Sequence, residues 1–251
     1  MAGAAITLAG VSKTYDNGLL ALQPTDLAIG AGEFITIVGP SGCGKSTLLR
    51  IVAGLVPAST GRCDRAAEVE TGFVFQEAAL LPWRTVQKNA ELLMELEGYP
   101  AADCTARARE ALATVGLAGF EKSYPHELSG GMRMRLSLAR ALALRPGVLL
   151  LDEPLAAVDE LTRDILQEEL SAVWREAGFT AMMVTHNVHE AAYLSTRVVV
   201  MSARPGRVRE VIEVPFAFPR PAELRATPEF AALTGRVTAA LRRPETDEVV
   251  A

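Results

Sequence analysis

Phe34-Ile35-Thr36-Ile37-Val38-Gly39-Pro40-Ser41-Gly42-Cys43-Gly44-Lys45-Ser46-Thr47 is the stretch on which the fold turns. Phe34 to Val38 read as a buried strand. The strand runs straight into G-x-x-x-x-G-K-[ST], which spans Gly39 to Ser46. Leu48, Leu49, Val52 and Leu55 then recur at helical spacing, and Gly54 and Pro57 mark the helix end. Strand, glycine-rich turn and helix in this order build a phosphate site. Glycines let backbone N–H groups close around phosphate oxygens, and the helix presents its positive N-terminal end. Lys45 can reach β- and γ-phosphates, and the Ser46 hydroxyl can ligate Mg²⁺. A plain surface turn with a solvated lysine would need neither the strand before it nor the amphipathic helix after it.

Working outward, Val148-Leu149-Leu150-Leu151 is a second short apolar run and ends in Asp152-Glu153. A carboxylate at the end of a buried strand can hold Mg²⁺ through water, a role open to Asp152. Glu153 would then lie beside the γ-phosphate and take the proton of an attacking water. An acidic strand cap is the plainer alternative, and even paired with the glycine-rich loop the pattern separates kinds of NTPase only poorly.

Elsewhere, Ile6, Leu8 and Val11, and then Leu22 to Ile29, alternate as strands about an Asp16-Asn17-Gly18 turn. Phe73-Val74-Phe75 is a short strand leading into Gln76. Residues 102–115 predict a helix with Ala108, Ala111, Leu112 and Val115 inward. Another helix starts at Ser129, runs through Leu136, Ala139 and Ala143, and stops at Pro146. A helix from Arg163 to Trp174 and a strand from Ala181 to Val184 follow. Arg197 to Met201 and Val208 to Val214 flank Arg204-Pro205-Gly206 as a hairpin. Phe230, Leu233, Val237 and Leu241 share one face of a tail helix, and Glu245 to Ala251 are expected to fray.

Of 251 residues, 49% are hydrophobic and 22% charged, too apolar for disorder and enough for a core without staples. The balance of 25 Lys+Arg against 30 Asp+Glu, net −5, argues against non-specific nucleic-acid binding. Cys43, Cys63 and Cys104 are widely spaced with no CxxC pair, which argues against a disulfide framework or zinc site. Cys43, inside the phosphate loop, reads as a permissive small residue. Met1 to Leu8 lacks the basic start and long apolar core of a secretory signal. A cytoplasmic chain is expected.

Leu128-Ser129-Gly130-Gly131-Met132-Arg133 narrows the class. Ser129 is a good helix N-cap, which is the bland reading. The same geometry offers a second anion site, redundant within one copy because the first loop already holds the phosphates. At this point the chain resembles the ATP-binding cassette (ABC) family of transporter ATPases. Tyr15 sits where the family has an adenine-stacking aromatic. Gly39, Pro40, Ser41, Gly42, Cys43, Gly44, Lys45, Ser46 and Thr47 match the Walker A loop. Gln76 matches the Q-loop glutamine, which the resemblance makes a catalytic residue and a metal ligand alongside Ser46 and Asp152. Leu128 to Arg133 match the signature, with Ser129, Gly130 and Gly131 on nucleotide. Leu149 to Glu153 match Walker B, with Glu153 as catalytic glutamate. Ala156-Ala157-Val158-Asp159 match the D-loop, with Asp159 at the nucleotide, and His186 matches the switch histidine. His126 and His189 read as ordinary turn histidines. Departures are Met132 and Met134 where many relatives carry Gln, Ala156 where Ser is frequent, and Val158 in place of Leu.

The resemblance implies an α/β fold: a P-loop NTPase of the ABC type, with an antiparallel β-subdomain and an inserted α-helical subdomain. One nucleotide-binding domain would span residues 1–251, with the helical subdomain at about 78–146 and a C-terminal tail at about 216–251. It also implies ATP and Mg²⁺ as cofactors, and a homodimer stacked head to tail. Each ATP would lie between the Walker loop of one copy and Ser129 and Gly131 of the other. Closure assembles the site, and hydrolysis by Glu153 with His186 reopens it.

Leu81-Pro82-Trp83-Arg84-Thr85-Val86, Tyr124-Pro125-His126 and Ser202-Ala203-Arg204-Pro205-Gly206-Arg207 look like the nitrate/sulfonate/taurine import branch. That branch implies an integral membrane permease, a periplasmic or lipid-anchored solute-binding protein, and a place on the cytoplasmic face of the inner membrane. The apolar patch from Ala78 to Val86 would lie near the permease's docking groove, or else Leu80, Leu81 and Trp83 are subdomain core. The competing reading is a soluble non-transport ABC ATPase of DNA repair or translation. Such proteins usually carry long coiled-coil insertions, whereas here Lys45 to Ser129 is only 84 positions (129 − 45). A generic P-loop kinase or GTPase has no use for Ser129-Gly130-Gly131 or His186.

Overall fold

The computed structural model of the chain describes residues 4–66, 70–156 and 158–243. Ala157 of the D-loop match and the expected frayed end, Glu245 to Ala251, lie outside the described residues. In chain order, β1 (Ala4–Thr14), β2 (Leu20–Gly30) and β3 (Phe34–Val38) precede α1 (Lys45–Val52). Next come β4 (Thr60–Arg65), β5 (Thr71–Val74), α2 (Val86–Leu96), α3 (Ala101–Thr114) and α4 (Gly130–Leu142). β6 (Val148–Asp152), α5 (Glu160–Ala177), β7 (Thr180–Thr185) and α6 (Val188–Leu194) follow. β8 (Arg197–Met201), β9 (Val208–Glu213) and α7 (Pro228–Arg242) complete the series. The elements gather into two compact units interleaved along the sequence. The first takes Gly30–Glu33 and Arg65–Met183; the second takes Ile6–Ile29, Phe34–Asp64 and the chain from Val184 onward.

In the first unit the strand order is β5-β6-β7, and β5 runs parallel to β6 with Val74 opposite Leu151. Every position of β6 is buried, as its unbroken apolar run requires. Helices α2, α3 and α4 enclose a separate apolar core that includes Met94, Cys104, Leu112 and Leu136. All four residues predicted for the inner face of α3 are buried. Leu80 packs against this core, whereas Trp83 is 72% exposed. The subdomain-core reading of the patch therefore holds for Leu80 and fails for Trp83. Helix α4 ends at Leu142, and Arg145 at φ 54 turns the chain just before Pro146. Met132 packs against the helical core, and Met134 is buried beside Val74, Leu151 and Leu155. A glutamine amide at Met134 would need a partner in that apolar setting.

Helices α2 and α3 are also joined through Glu91, which is buried on α2. It pairs with Lys88 and accepts hydrogen bonds from Gln87 at 2.8 Å and Thr105 at 3.1 Å. Burial is the largest single influence on its carboxyl and raises the pKa. The bonds from Lys88, Gln87 and Thr105 together outweigh it, so the net direction is down. A depressed carboxylate stabilises the fold above its unfolded pKa, and this stabilisation is lost as pH falls through the lower folded value. Below pH 4.5, the ordinary carboxyl value, the Tm of the wild type should therefore fall faster than that of Glu91→Gln. Parallel Tm-versus-pH curves would remove Glu91 from the stability account.

In the second unit β3 pairs in parallel with β8, and β8 pairs antiparallel with β9. A separate three-stranded sheet has the order β2-β1-β4. Phe34 to Val38 are buried throughout, as predicted. Helix α1 is shorter than its apolar spacing suggests. It stops at Val52, Gly54 turns at φ 75, and Leu55 is 57% exposed instead of lining the inner face. The tail helix α7 begins at an N-cap, Thr227, with Pro228 in the first turn. Phe230, Leu233 and Val237 are buried as predicted, but Ala240 completes the buried face and Leu241 is only half-buried. The last turn of α6 is held by Arg220, whose guanidinium donates to the Ala192 and Tyr193 carbonyls at 3.2 and 2.7 Å. Burial pushes that guanidinium down to about 10.

Candidate functional site

The phosphate loop belongs to the second unit. Buried β3 delivers Gly39 with no room for a side chain, since a Cβ there would lie 2.8 Å from Cys43 Sγ and 3.1 Å from Met201 Cβ. Gly44, the N-cap of α1, has φ 102, and a Cβ there would meet the Ala21 carbonyl at 2.8 Å. Only glycine serves at a position both left-handed and this crowded. Lys45 is buried, and its ammonium donates to the Gly39 and Pro40 carbonyls at 2.9 and 3.0 Å. The side chain thus curls back over its own loop. Ser46 and Thr47 open α1, half-buried, and Pro40, Ser41 and Gly42 are exposed. Burial pushes the Cys43 thiol above its ordinary value despite nearby Lys45, which keeps it a neutral thiol.

Tyr15 sits just past β1, half-buried, with its hydroxyl 3.1 Å from Thr47 Oγ1. The Lys13 ammonium lies 5.4 Å from its ring centroid. The structure thus brings Tyr15 to the first turn of the phosphate-loop helix. His186 is exposed and follows the last residue of β7. Its backbone is pinned on both sides. The Thr185 hydroxyl donates to Glu190 at 2.6 Å and accepts the Asn187 N–H at 3.0 Å. The Asn187 side chain caps α6 by accepting from His189 and Glu190 N–H groups. Neither His126 nor His189 lies in an isolated turn. His126 is in a 3-10 helix with its ring stacked 5.8 Å from Tyr124, and His189 opens α6 with its ring 5.9 Å from Phe230.

The first unit carries the remaining candidates. Because β5 and β6 are parallel and in register, Gln76 and Glu153 leave the sheet at the same edge. Asp152 is buried at the end of β6, Glu153 is half-buried and Gln76 is exposed. Glu153 has φ 47, a left-handed conformation that costs a non-glycine residue about 1–2 kcal/mol. Ser129 is the N-cap of α4, its hydroxyl accepting the Met132 N–H at 3.2 Å. Ser129 and Gly130 are exposed, and a Cβ on half-buried Gly131 would press on Thr162 Cγ2 at 3.1 Å. Asp159 caps α5 by accepting the Thr162 N–H at 3.0 Å, and that bond holds its carboxyl below the usual range.

Two arginines escaped sequence reasoning. Arg140 is buried on α4 and donates to the Ala78 and Ala79 carbonyls, each at 2.9 Å. It thereby ties the signature helix to the segment after Gln76, where Ala79 has φ 44. Arg204, in the β8–β9 hairpin, donates to the Gly42 carbonyl at 2.9 Å. Both partners lie far away along the chain, and no periodicity announces them.

The family model described as ABC transporter matches residues 22–156, from β2 to the start of the D-loop match. The chain is 46% identical over 210 residues to an uncharacterized ABC transporter ATP-binding protein of Methanocaldococcus jannaschii, covering 81% of this chain and 79% of that protein. It is 42% identical over 231 residues to an aliphatic sulfonates import ATP-binding protein of Bacillus licheniformis, covering 90% and 88%. The solved dimer of the ATP-binding cassette MJ0796, in a post-hydrolysis state bound to ADP and Pi, superposes with a TM-score of 0.74 at 31% identity. That match covers 84% of this chain and all of the solved one. Phosphate loop, Asp-Glu strand end and capped signature helix stand on the fold these relatives share, and the chain belongs to the ABC transporter family of ATPases.

Proposed function

We propose that this ATPase energises an importer of aliphatic sulfonates or taurine, with nitrate-like anions as the second candidate class. The observation that carries the reading is the 42% identity, over nine-tenths of the chain, to a protein named for aliphatic sulfonate import. A membrane permease supplies the pore, since no helix among the described residues is long and apolar enough to cross a bilayer. The cassette works as a peripheral subunit at the cytoplasmic face, and a solute-binding protein outside the membrane selects the cargo.

In this reading two copies stack head to tail. Gly39 to Thr47 of one copy wrap the triphosphate, and Tyr15 stacks on adenine. Ser129, Gly130 and Gly131 of the other copy close over the γ-phosphate, which fits the exposure of Ser129 and Gly130 at the positive end of α4. The Ser46 hydroxyl, Asp152 carboxylate and Gln76 amide oxygen are hard donors that suit Mg²⁺. When bound, that ion neutralises charge on the β- and γ-phosphates. Glu153 accepts a proton from the water that attacks the γ-phosphorus, ADP departs, and His186 steadies the transferring phosphate. Asp159, already holding α5, lines the dimer interface near the nucleotide.

Replacing the chromosomal copy by Lys45→Ala should abolish growth on an alkanesulfonate as sole sulfur source and leave growth on sulfate intact. Loss of nitrate use instead would move the substrate class to nitrate. Unchanged growth on all three would reject the importer reading in favour of a soluble ABC ATPase.

Trp83 supports a docked partner, being large, apolar and 72% exposed beside the helical core. Trp83→Ala should weaken capture of the permease by about tenfold or more, as for a central aromatic anchor. Its Tm should stay close to wild type, because exposed substitutions change stability by only about 0.5 kcal/mol. Full permease capture by Trp83→Ala would place the docking surface elsewhere.

A further inference from the structure

We infer that Arg204 is a positioning residue for the phosphate loop, holding the Gly42–Cys43 peptide that closes the Pro40–Cys43 turn and so fixing the shape the loop offers to phosphates. The inference rests on the assignment of Gly39 to Thr47 as the ATP loop. Arg204 Nε–H donates to the Gly42 carbonyl at 2.9 Å, and the guanidinium lies 2.8 Å from where a Cβ on Gly42 would stand. The Gly42 carbonyl therefore faces the hairpin. In a planar trans peptide the C=O and the following N–H point opposite ways. The Cys43 N–H is thereby turned into the loop, where it donates to the Pro40 carbonyl at 3.3 Å and closes the turn. A carbonyl that accepts a charge-assisted bond is also polarised, which makes the N–H of the same peptide a stronger donor and tightens its bond to Pro40.

The hairpin is anchored independently of the loop it touches. Gly206 N–H donates to the Ala21 carbonyl at 3.0 Å, and Gln23 N–H donates to the Gly206 carbonyl at 2.9 Å. The Ser202 hydroxyl accepts the Arg207 N–H at 3.1 Å and donates to the Ala203 carbonyl at 2.9 Å, which closes the tip on itself. A Cβ on Gly206 would lie 1.9 Å from the Cys43 carbonyl, so the hairpin backbone abuts the loop directly. The turn that follows β8 is thus a fixed buttress with one cationic arm on a loop peptide.

Fluorescent-nucleotide titration of the full chain as Arg204→Met, Arg204→Lys and Lys45→Ala, with Tm measured in parallel, tests this. Arg204→Met should weaken ATP and ADP by about fivefold, the size of one exposed charge-assisted bond. Competition by inorganic tripolyphosphate, which engages the loop without adenine, should weaken by the same factor. The KM for ATP should rise with kcat little changed, Arg204→Lys should recover part of the loss, and Tm should hold. Added salt should narrow the gap between wild type and Arg204→Met, because the arm is exposed. Unchanged affinity in Arg204→Met beside abolished binding in Lys45→Ala would overturn the inference alone. A fall in kcat at constant KM, or a Tm loss that tracks affinity, would also overturn it. Intact binding in Lys45→Ala would bring down the loop assignment and the inference with it.

Discussion

Glu153→Gln slows ATP hydrolysis by about 10²–10⁴-fold, the usual worth of a general base, and leaves ATP binding in place. The carboxamide matches the carboxylate in shape, so the turn after β6 is kept. What it loses is the ability to accept the proton of the attacking water. The backbone at φ 47 gives the position its character. A strand that simply ended in an acidic cap would have no reason to hold a non-glycine residue in the left-handed region. The half-buried setting, one residue beyond buried Asp152, aims the side chain from the sheet edge that also releases Gln76. With the proton acceptor gone, ATP-bound copies accumulate as closed dimers. Phosphate release measures the rate, nucleotide titration the binding, and sizing chromatography with and without ATP the dimer. Normal turnover in Glu153→Gln would transfer the base role to another residue.

Ser129→Arg abolishes hydrolysis without abolishing ATP binding at the phosphate loop. The exposed N-terminus of α4, thirteen residues long, presents partial positive charge and free N–H groups. A long cationic side chain at the cap fills the space where a second copy's γ-phosphate would enter. Loss of the cap itself costs about 1 kcal/mol, so Ser129→Ala serves as the control for helix stability. A sharper result comes from mixing two inactive variants, Lys45→Ala and Ser129→Arg. In a head-to-tail pair one of the two composite sites then contains only wild-type elements, and hydrolysis reappears. A mixture that stays inactive while each variant still dimerises, or a fully active Ser129→Arg, would rule out shared sites.

Much of this was legible because it is local. Phe34 to Thr47 and Val148 to Glu153 carry their meaning in consecutive residues: a fully buried strand, then a chemistry-bearing turn. Ser129 declares a helix start through its own hydroxyl. Failures cluster where short elements or distant partners decide. Helix α6 has seven residues, too few for a 3.6-residue period to repeat, and it is set by Asn187 and the Thr185–Glu190 bond. Leu55 shares the spacing of the α1 face, yet Gly54 turns the chain before that face is reached. The bonds from Arg140 to Ala78 and from Arg204 to Gly42 join residues 62 and 162 positions apart. Only folding brings such partners together.

Lys45 resting on Gly39 and Pro40 makes nucleotide capture an exchange reaction rather than a simple docking. An incoming anion has to replace two carbonyl acceptors before it gains anything from the ammonium. A solitary phosphate or sulfate ion, offering few oxygens, recovers little more than it displaces. A polyphosphate chain reaches the lysine and the loop amides together and comes out ahead. With the lysine so occupied, tripolyphosphate should compete with nucleotide at the loop far better than orthophosphate or sulfate does.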